Sequence, residues 1–149
     1  MIQEYEDHLK KLRQLYIDGT LSQRIAIVRQ RVMNPNCGPN QLCNTLGALE
    51  AIARAILLDL KINEGQTKVE AYKKIKLSNA TKLIEGICAA KGISPTDVFG
   101  QDWELIQYAE KYRNLLTHEG TFLREGYSSQ LIEACNRAIN TIEQEWINP

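Results

Sequence analysis

The sequence predicts an all-α protein, an antiparallel up-and-down bundle of five to six helices with no sheet. Apolar residues recur at spacings of three and four along the whole chain, which is the period of an amphipathic helix. Gly, Pro, Asn and Ser separate these repeats and act as helix stop and start signals. No segment alternates apolar and polar residues as a half-buried strand does. Because the connections are short, consecutive helices should run antiparallel, and residues 1–149 should form a single domain.

The first three helices are predicted from their apolar stripes. The first stripe consists of Ile2, Tyr5, Leu9, Leu12 and Tyr16, the second of Leu21, Ile25, Val28 and Val32, and the third of Leu42, Leu46, Leu49, Ala53, Ile56 and Leu60. Gly19 stops the first helix, Thr20 or Ser22 can cap the second, and the run from Asn63 to Gly65 ends the third. His8 is expected on the exposed, polar side of the first helix.

The second half of the chain continues the same pattern. A broken helical region over residues 69–92 ends at Gly92, and a short turn, capped by Ser94, ends near Gly100. The next helix runs from about Asp102 to Glu119, with Gly120 as its expected left-handed terminator. The last helix, roughly Ser128 to Ile147, carries Leu131, Cys135, Ala138, Ile142 and Trp146 on one face.

Composition bears on nucleic-acid binding, metal binding and membrane insertion. Lys and Arg number 18 against 18 Asp and Glu, so any contact with RNA must come from a local basic patch. The four cysteines form no Cys-x-x-Cys pair, so no metal site and no cofactor are predicted, and a reduced cytoplasmic location is expected. Charged residues interrupt the most apolar stretch, residues 46–60, so no membrane span is predicted.

The helix from Asp102 to Glu119 holds the residues that can do chemistry. Its predicted core-facing seam consists of Leu105, Ala109, Tyr112 and Leu116. At about 100° per residue, Asn114 and His118 lie about 200° from that seam and should point away from the bundle interior. Glu110 lies one turn earlier on the same line. Arg113 emerges about 100° away, with a side chain long enough to swing toward that outward stripe.

A guanidinium, an amide and an imidazole on one surface suit the handling of a phosphate. Arginine can hold two phosphate oxygens in its fork, and histidine exchanges protons near neutral pH. His118 lies in the last turn of its helix, where the negative end of the helix dipole favours the protonated imidazole.

The spacing Arg113-Asn114-x-x-x-His118, late on a helix of a small bundle, resembles the R-N-x-x-x-H motif of the HEPN superfamily (higher eukaryotes and prokaryotes nucleotide-binding domains). Many members are metal-independent endoribonucleases of toxin–antitoxin, anti-phage defence and RNA-processing systems. The resemblance implies attack of a ribose 2′-hydroxyl on its own 3′-phosphate, which gives a 2′,3′-cyclic phosphate and a 5′-hydroxyl. His118 would act as general base or acid, Arg113 would stabilise phosphate charge, and Asn114 would orient His118 or the phosphate.

The same resemblance implies partners. Family members commonly pair two copies of the motif across a two-fold dimer, and an outward-facing Asn114 and His118 would fit such a homodimer with a composite active site. RNA is the implied substrate, and a cognate antitoxin or system partner would accompany a toxin. Some family members carry a tyrosine two residues after the motif histidine that a partner enzyme modifies. This chain has Gly120 there, which argues against that route of regulation.

Each of the other candidate residues has a structural and a functional interpretation. Glu50 and Arg54, four apart on the third helix, can form an exposed ion pair. The resemblance instead implies that Glu50 faces the motif, where it would pair with Arg113 or act on a proton as a secondary catalytic residue. Arg54, Lys73, Lys74 and Lys76 are candidate RNA-binding residues. Arg24, Arg29 and Arg31 form a second basic cluster, and basic clusters of this kind are most often solvated faces.

Two alternatives to an endoribonuclease remain open. One is a non-catalytic helical module of the same architecture that binds a nucleotide, RNA or a protein partner. The other is an interaction bundle with no ligand. The intact motif favours the enzyme, whereas the absence of overall basic charge favours the other two.

Overall fold

A computed structural model of the chain describes residues 2–119 and 125–148, except the side chain of residue 125. It is all-helical, and the described residues contain no strand. They form eight α-helices, where five to six were predicted, because the broken region and the short turn resolve into three separate helices. The elements are α1 Ile2–Asp18, α2 Leu21–Met33, α3 Gly38–Asn63, α4 Lys68–Ile75, α5 Ala80–Lys91, α6 Pro95–Phe99, α7 Asp102–His118, α8 Glu125–Ile142 and a final π-helical turn, Glu143–Ile147.

The core lies where α3, α5, α7 and α8 pack together, with α1 against α7. The long helix α3 contacts α5, α7 and α8 and contributes four fully buried side chains from its predicted stripe, Leu42, Leu46, Leu49 and Ala53. Ile56 and Leu60 of that stripe are only partly buried. Helix α8 buries Leu131, Cys135, Ala138 and Ile142, as its periodicity predicts.

A glycine sets the close approach of α3 and α5. A Cβ added to Gly86 on α5 would lie 2.8 Å from Leu57 Cδ2 on α3, so the absence of a side chain there lets the two helices pack tightly.

Local capping explains several of the helix boundaries. Thr20 caps α2 through a reciprocal capping box with Gln23, and the Ser94 hydroxyl accepts a hydrogen bond from the Asp97 N–H. Gly92 ends α5 in the left-handed conformation, at φ 70°. The predicted terminator Gly120 lies outside the described residues; α7 ends at His118.

The exposed position expected for His8 is wrong. His8 is only 9% exposed, stacks on the Tyr127 ring at 4.1 Å between centroids, and its Nδ1 lies 2.9 Å from the Tyr112 hydroxyl. His8 comes three residues after Tyr5 and four before Leu12, both buried, so the helical period already placed it on the buried stripe. His8 was expected on the exposed side because histidine is polar.

The thiols of Cys88 and Cys135 are buried and unpaired, as expected for cysteines at apolar helical positions. Burial raises the pKa of Cys88 to about 11 and that of Cys135 to about 12, so neither is a reactive thiolate near neutral pH.

Candidate functional site

Helix α7 is buried over more of its circumference than the predicted seam. It contacts α1, α3, α5, α6 and α8, and its buried set extends from Trp103 and Ile106 to Leu115 and Leu116. Asn114 and His118 are exposed, in the orientation that the periodicity predicts. Glu110, expected on the same outward line, is only 7% exposed, so that expectation is wrong. The contacts with α5 on that side of α7 account for its burial.

Glu50 lies between two arginines. Its Oε2 is 2.6 Å from Arg113 Nη1, and its Oε1 is 2.7 Å from Arg54 Nη2. Arg54 Nη2 also donates to the Ser78 carbonyl, at 2.8 Å. Both pairs considered for Glu50, with Arg54 and with Arg113, therefore occur together in one network. The exposure expected for the Glu50–Arg54 pair is wrong, because the Glu50 side chain is only 18% exposed.

The buried Glu110 adds a second carboxylate to this network. It accepts hydrogen bonds from the Thr81 hydroxyl at 3.1 Å and from the Thr81 N–H at 3.4 Å. Thr81 is the second residue of α5, so Glu110 satisfies a backbone N–H at a helix N-terminus, where negative charge is favoured. Glu110 Oε1 also lies 3.6 Å from Arg113 Nη2.

Arg113 is consequently held between two carboxylates, with 20% of its side chain exposed. This differs from the expectation that its guanidinium swings toward the exposed stripe of Asn114 and His118. The ion pairs with Glu50 on α3 and Glu110 on α7 draw the guanidinium toward the interior instead. Sequence reasoning missed this role of Glu110, although an acid three residues before an arginine on a helix is a recognised pairing signal.

The network fixes the charge state of Glu50. Burial alone would raise the pKa of its carboxyl, but hydrogen bonds from Arg54 and Arg113 outweigh burial and hold the pKa below its ordinary value. Glu50 is therefore a carboxylate at neutral pH, and two carboxylates balance two guanidinium groups in the network.

His118 lies in a different setting from Arg113. It lines a groove of about 860 Å³ between α2 and the C-terminal end of α7. The basic residues in the lining are Arg24, Arg29 and Arg31 from α2, and the apolar ones include Ile25, Val28 and Leu116. The structure thus brings the second basic cluster, and not the lysine cluster, to the motif histidine.

The candidate RNA-binding residues are dispersed. Arg54 is engaged in the Glu50 network, and Lys73, Lys74 and Lys76 are exposed at the end of α4. Neither Arg54 nor these lysines belong to the groove lining, and neither do Arg113 and Asn114. Arg113 and His118 therefore lie on consecutive turns of α7 but in different environments. Arg113 belongs to the ion-pair network, and His118 lines the open groove.

Over the described ranges 2–119 and 125–148, no three His, Cys, Asp or Glu side chains are grouped so that they could hold a metal ion. Within those same ranges no helix has the length and apolar character needed to cross a bilayer. Comparison of the chain with known protein families, with curated proteins and with solved structures finds no significant match.

Proposed function

We propose that this chain is a metal-independent endoribonuclease of the HEPN type, acting as a toxin, in anti-phage defence or in RNA processing, on an antiparallel up-and-down helical bundle. The observation that carries the proposal is the motif Arg113-Asn114-x-x-x-His118 at the end of α7, with Asn114 and His118 exposed to a substrate.

The proposed reaction is an intramolecular transfer. The ribose 2′-oxygen attacks the adjacent phosphorus, a new P–O2′ bond forms, and the P–O5′ bond breaks. His118 takes the 2′-hydroxyl proton or supplies the proton that the departing 5′-oxygen needs. Arg113 stabilises the charge that develops on the phosphate oxygens, and Asn114 orients the imidazole or the phosphate. The products are a 2′,3′-cyclic phosphate and a 5′-hydroxyl.

The ion pairs of Arg113 have a defined role in this scheme. Glu50 and Glu110 restrict the guanidinium to one position before substrate arrives, which lowers the entropy cost of using it. Its remaining N–H groups and its 20% exposed surface are available to a phosphate. We assign Glu50 to positioning Arg113, since its carboxylate is already shared by two arginines.

A second subunit completes the proposed site. Efficient transfer uses both an acid and a base, whereas one motif supplies a single histidine. A two-fold homodimer that juxtaposes the exposed faces of two α7 helices supplies the second His118.

The experiment is RNA cleavage in EDTA by the purified chain and by His118→Ala, Asn114→Ala and Arg113→Ala. We expect the native chain to cut a mixed-sequence RNA in the chelator, and His118→Ala to lose at least about a hundredfold in rate. Asn136→Ala, at an exposed position on α8, is the matched control and should cut normally. Equal cleavage by native protein and His118→Ala would reject the proposal.

One observation favours a second candidate, a non-catalytic module that binds nucleotide, RNA or a protein. Two carboxylates already neutralise Arg113, which weakens its attraction for a phosphate. This candidate predicts RNA binding without cleavage and an affinity that His118→Ala leaves unchanged. Measuring binding and cleavage on the same RNA separates the two functions.

A further inference from the structure

Helix α2 presents an apolar face that no other described element covers. Its predicted stripe, Leu21, Ile25, Val28 and Val32, is exposed along its whole length, with Leu21 71% and Val32 76% accessible. None of the residues of α2 is buried. An amphipathic helix of a globular protein ordinarily packs this stripe against a neighbour, and a contiguous exposed apolar patch marks an interaction surface.

Polar contacts, rather than apolar packing, hold α2 to the rest of the molecule. Arg24 Nε donates to the Tyr16 carbonyl at 2.9 Å, and its Nη2 donates to the Ile17 carbonyl at 3.1 Å, both at the end of α1. Arg31 Nη1 donates to the Leu116 carbonyl on α7, and its Nε and Nη2 reach Asn40 Oδ1. These contacts fix one side of α2 and leave its apolar stripe as one wall of the groove.

The groove carries net positive charge, because its lining holds three arginines and one acid. Helix α2 contains three arginines and neither Asp nor Glu. Within residues 2–119 and 125–148, Arg24, Arg29 and Arg31 form no ion pair; Arg24 and Arg31 bind neutral oxygens, and Arg29 is exposed. Glu119 is the acid in the groove lining. An occupant must therefore combine an apolar surface with negative charge.

We propose that the α2 groove binds an amphipathic helix of a protein partner, with carboxylates on both sides of its apolar stripe. The stripe of α2 extends over about 16 Å, three turns, and its anchors at i, i+4, i+7 and i+11 match a helix laid along it. The flanking arginines select Asp and Glu on that helix.

The two other classes of occupant fit less well. A second copy with its α2 stripe packed against this α2 stripe would bring two sets of three arginines together, and like charges oppose that contact. The proposed two-fold contact between α7 helices is a different one. RNA would meet a wall of aliphatic side chains, and the aromatic ring in the lining, Tyr16, is covered by the Arg24 guanidinium at 4.9 Å.

Docking would also affect His118, an inference that rests on the proposed nuclease function. It lines the same groove, so a helix bound there would cover the imidazole and exclude RNA from it. The partner would then inhibit cleavage.

The probe is a fluorescent, helix-forming peptide of roughly 20 residues with Leu at i, i+4, i+7 and i+11 and Glu on both flanks. A second peptide has Lys in place of every Glu. Anisotropy with the full chain should show that the Glu peptide binds at least about tenfold more tightly. Val28→Asp should abolish binding, whereas Val69→Asp, an exposed valine on α4, should not. Arg29→Glu should reduce the preference for Glu, whereas Arg13→Glu on α1 should retain it.

Helical content of each variant, measured by circular dichroism, shows that the fold is intact, as expected for exposed positions. Failure of both peptides to bind, or equal binding of the two, overturns the proposal. So does a native dimer that Val28→Asp converts to monomer, or RNA binding that Val28→Asp abolishes while the peptides stay unbound. Tight binding of the Glu peptide to a chain that cuts no RNA keeps the docking site and rejects the nuclease.

Discussion

The guanidinium of Arg113 determines how the motif can work. It lies between Glu50 Oε2 at 2.6 Å and Glu110 Oε1 at 3.6 Å, and is therefore positioned before any substrate binds. The resemblance of the motif implied that Glu50 could pair with Arg113, two residues 63 apart in the chain, which apolar periodicity does not connect. It did not offer the buried carboxylate of Glu110, because residues of α5 distant in sequence complete the environment of that side chain.

We predict that Glu50→Gln destabilises the protein by about 1–3 kcal/mol, because it removes the carboxylate that two partly buried arginines share. Released from this contact, Arg113 should also lose its fixed position, and RNA cleavage should fall. Urea unfolding measures the first effect. Glu85→Gln, an exposed residue of α5, is the matched control and should change stability by less than about 0.5 kcal/mol. Equal stability of the two variants would show that the network contributes nothing.

The pH dependence of stability tests the same network. Because the folded pKa of Glu50 lies below its unfolded value, its contribution is fully present above the unfolded pKa, about 4.3, and is lost as pH falls through the folded pKa. The difference in unfolding free energy between native protein and Glu50→Gln should therefore be large at pH 7 and smaller at pH 3. A difference that stays constant between these pH values would contradict this account.

At the scale of single helices, the spacing of apolar residues predicted where each helix lies in the sequence. It did not predict whether the apolar face of that helix is covered by a neighbour. The stripes of α1, α3 and α8 and the caps Thr20 and Ser94 follow from local sequence, because helical spacing and capping are local properties. Which part of a stripe is covered depends on neighbours that come from elsewhere in the chain. The exposed stripe of α2 therefore has the same pattern as the stripe of α1, of which Tyr5, Leu9 and Leu12 are buried.

The packing of α3 against α5 gives a prediction at this scale. Gly47→Ala in α3 should stabilise the protein by about 0.5–1 kcal/mol, since a Cβ there meets nothing within 4 Å and alanine favours a helix. Gly86→Ala should lack this gain, because its Cβ would lie 2.8 Å from Leu57 Cδ2 and force that buried side chain to move. Thermal unfolding of both variants provides the comparison. Equal stabilisation by the two would mean that α5 does not need glycine at this contact.

For the whole molecule, the balanced charges hide a local asymmetry. The chain carries no net charge, yet the groove beside His118 holds three arginines and one acid. Composition predicted that any basic surface would be local, and Arg54 with Lys73, Lys74 and Lys76 were the predicted RNA-binding residues, whereas the arginine cluster lies beside His118. Their distance from His118 depends on how α2 and α4 are placed around α7, which is a tertiary property.

The composite site predicts a homodimer. Light scattering at micromolar concentration should give twice the chain mass of 17.0 kDa. His118→Glu, which places two carboxylates in the proposed two-fold contact, should shift the mass toward monomer. Lys74→Glu on α4 is the control and should leave it unchanged. A native monomer would remove the second histidine from the mechanism.

End-group analysis of RNA tests the proposed chemistry most directly. A mapped cleavage site is compared in EDTA with the same RNA carrying a single 2′-deoxy nucleotide on the 5′ side of that bond, using native protein and His118→Ala. We expect native protein to leave a 2′,3′-cyclic phosphate and a 5′-hydroxyl on the normal RNA and to spare the deoxy-substituted bond. His118→Ala should leave both RNAs uncut. Cleavage of the deoxy-substituted bond, or a 5′-phosphate on the product, would contradict the transfer mechanism assigned to Arg113, Asn114 and His118.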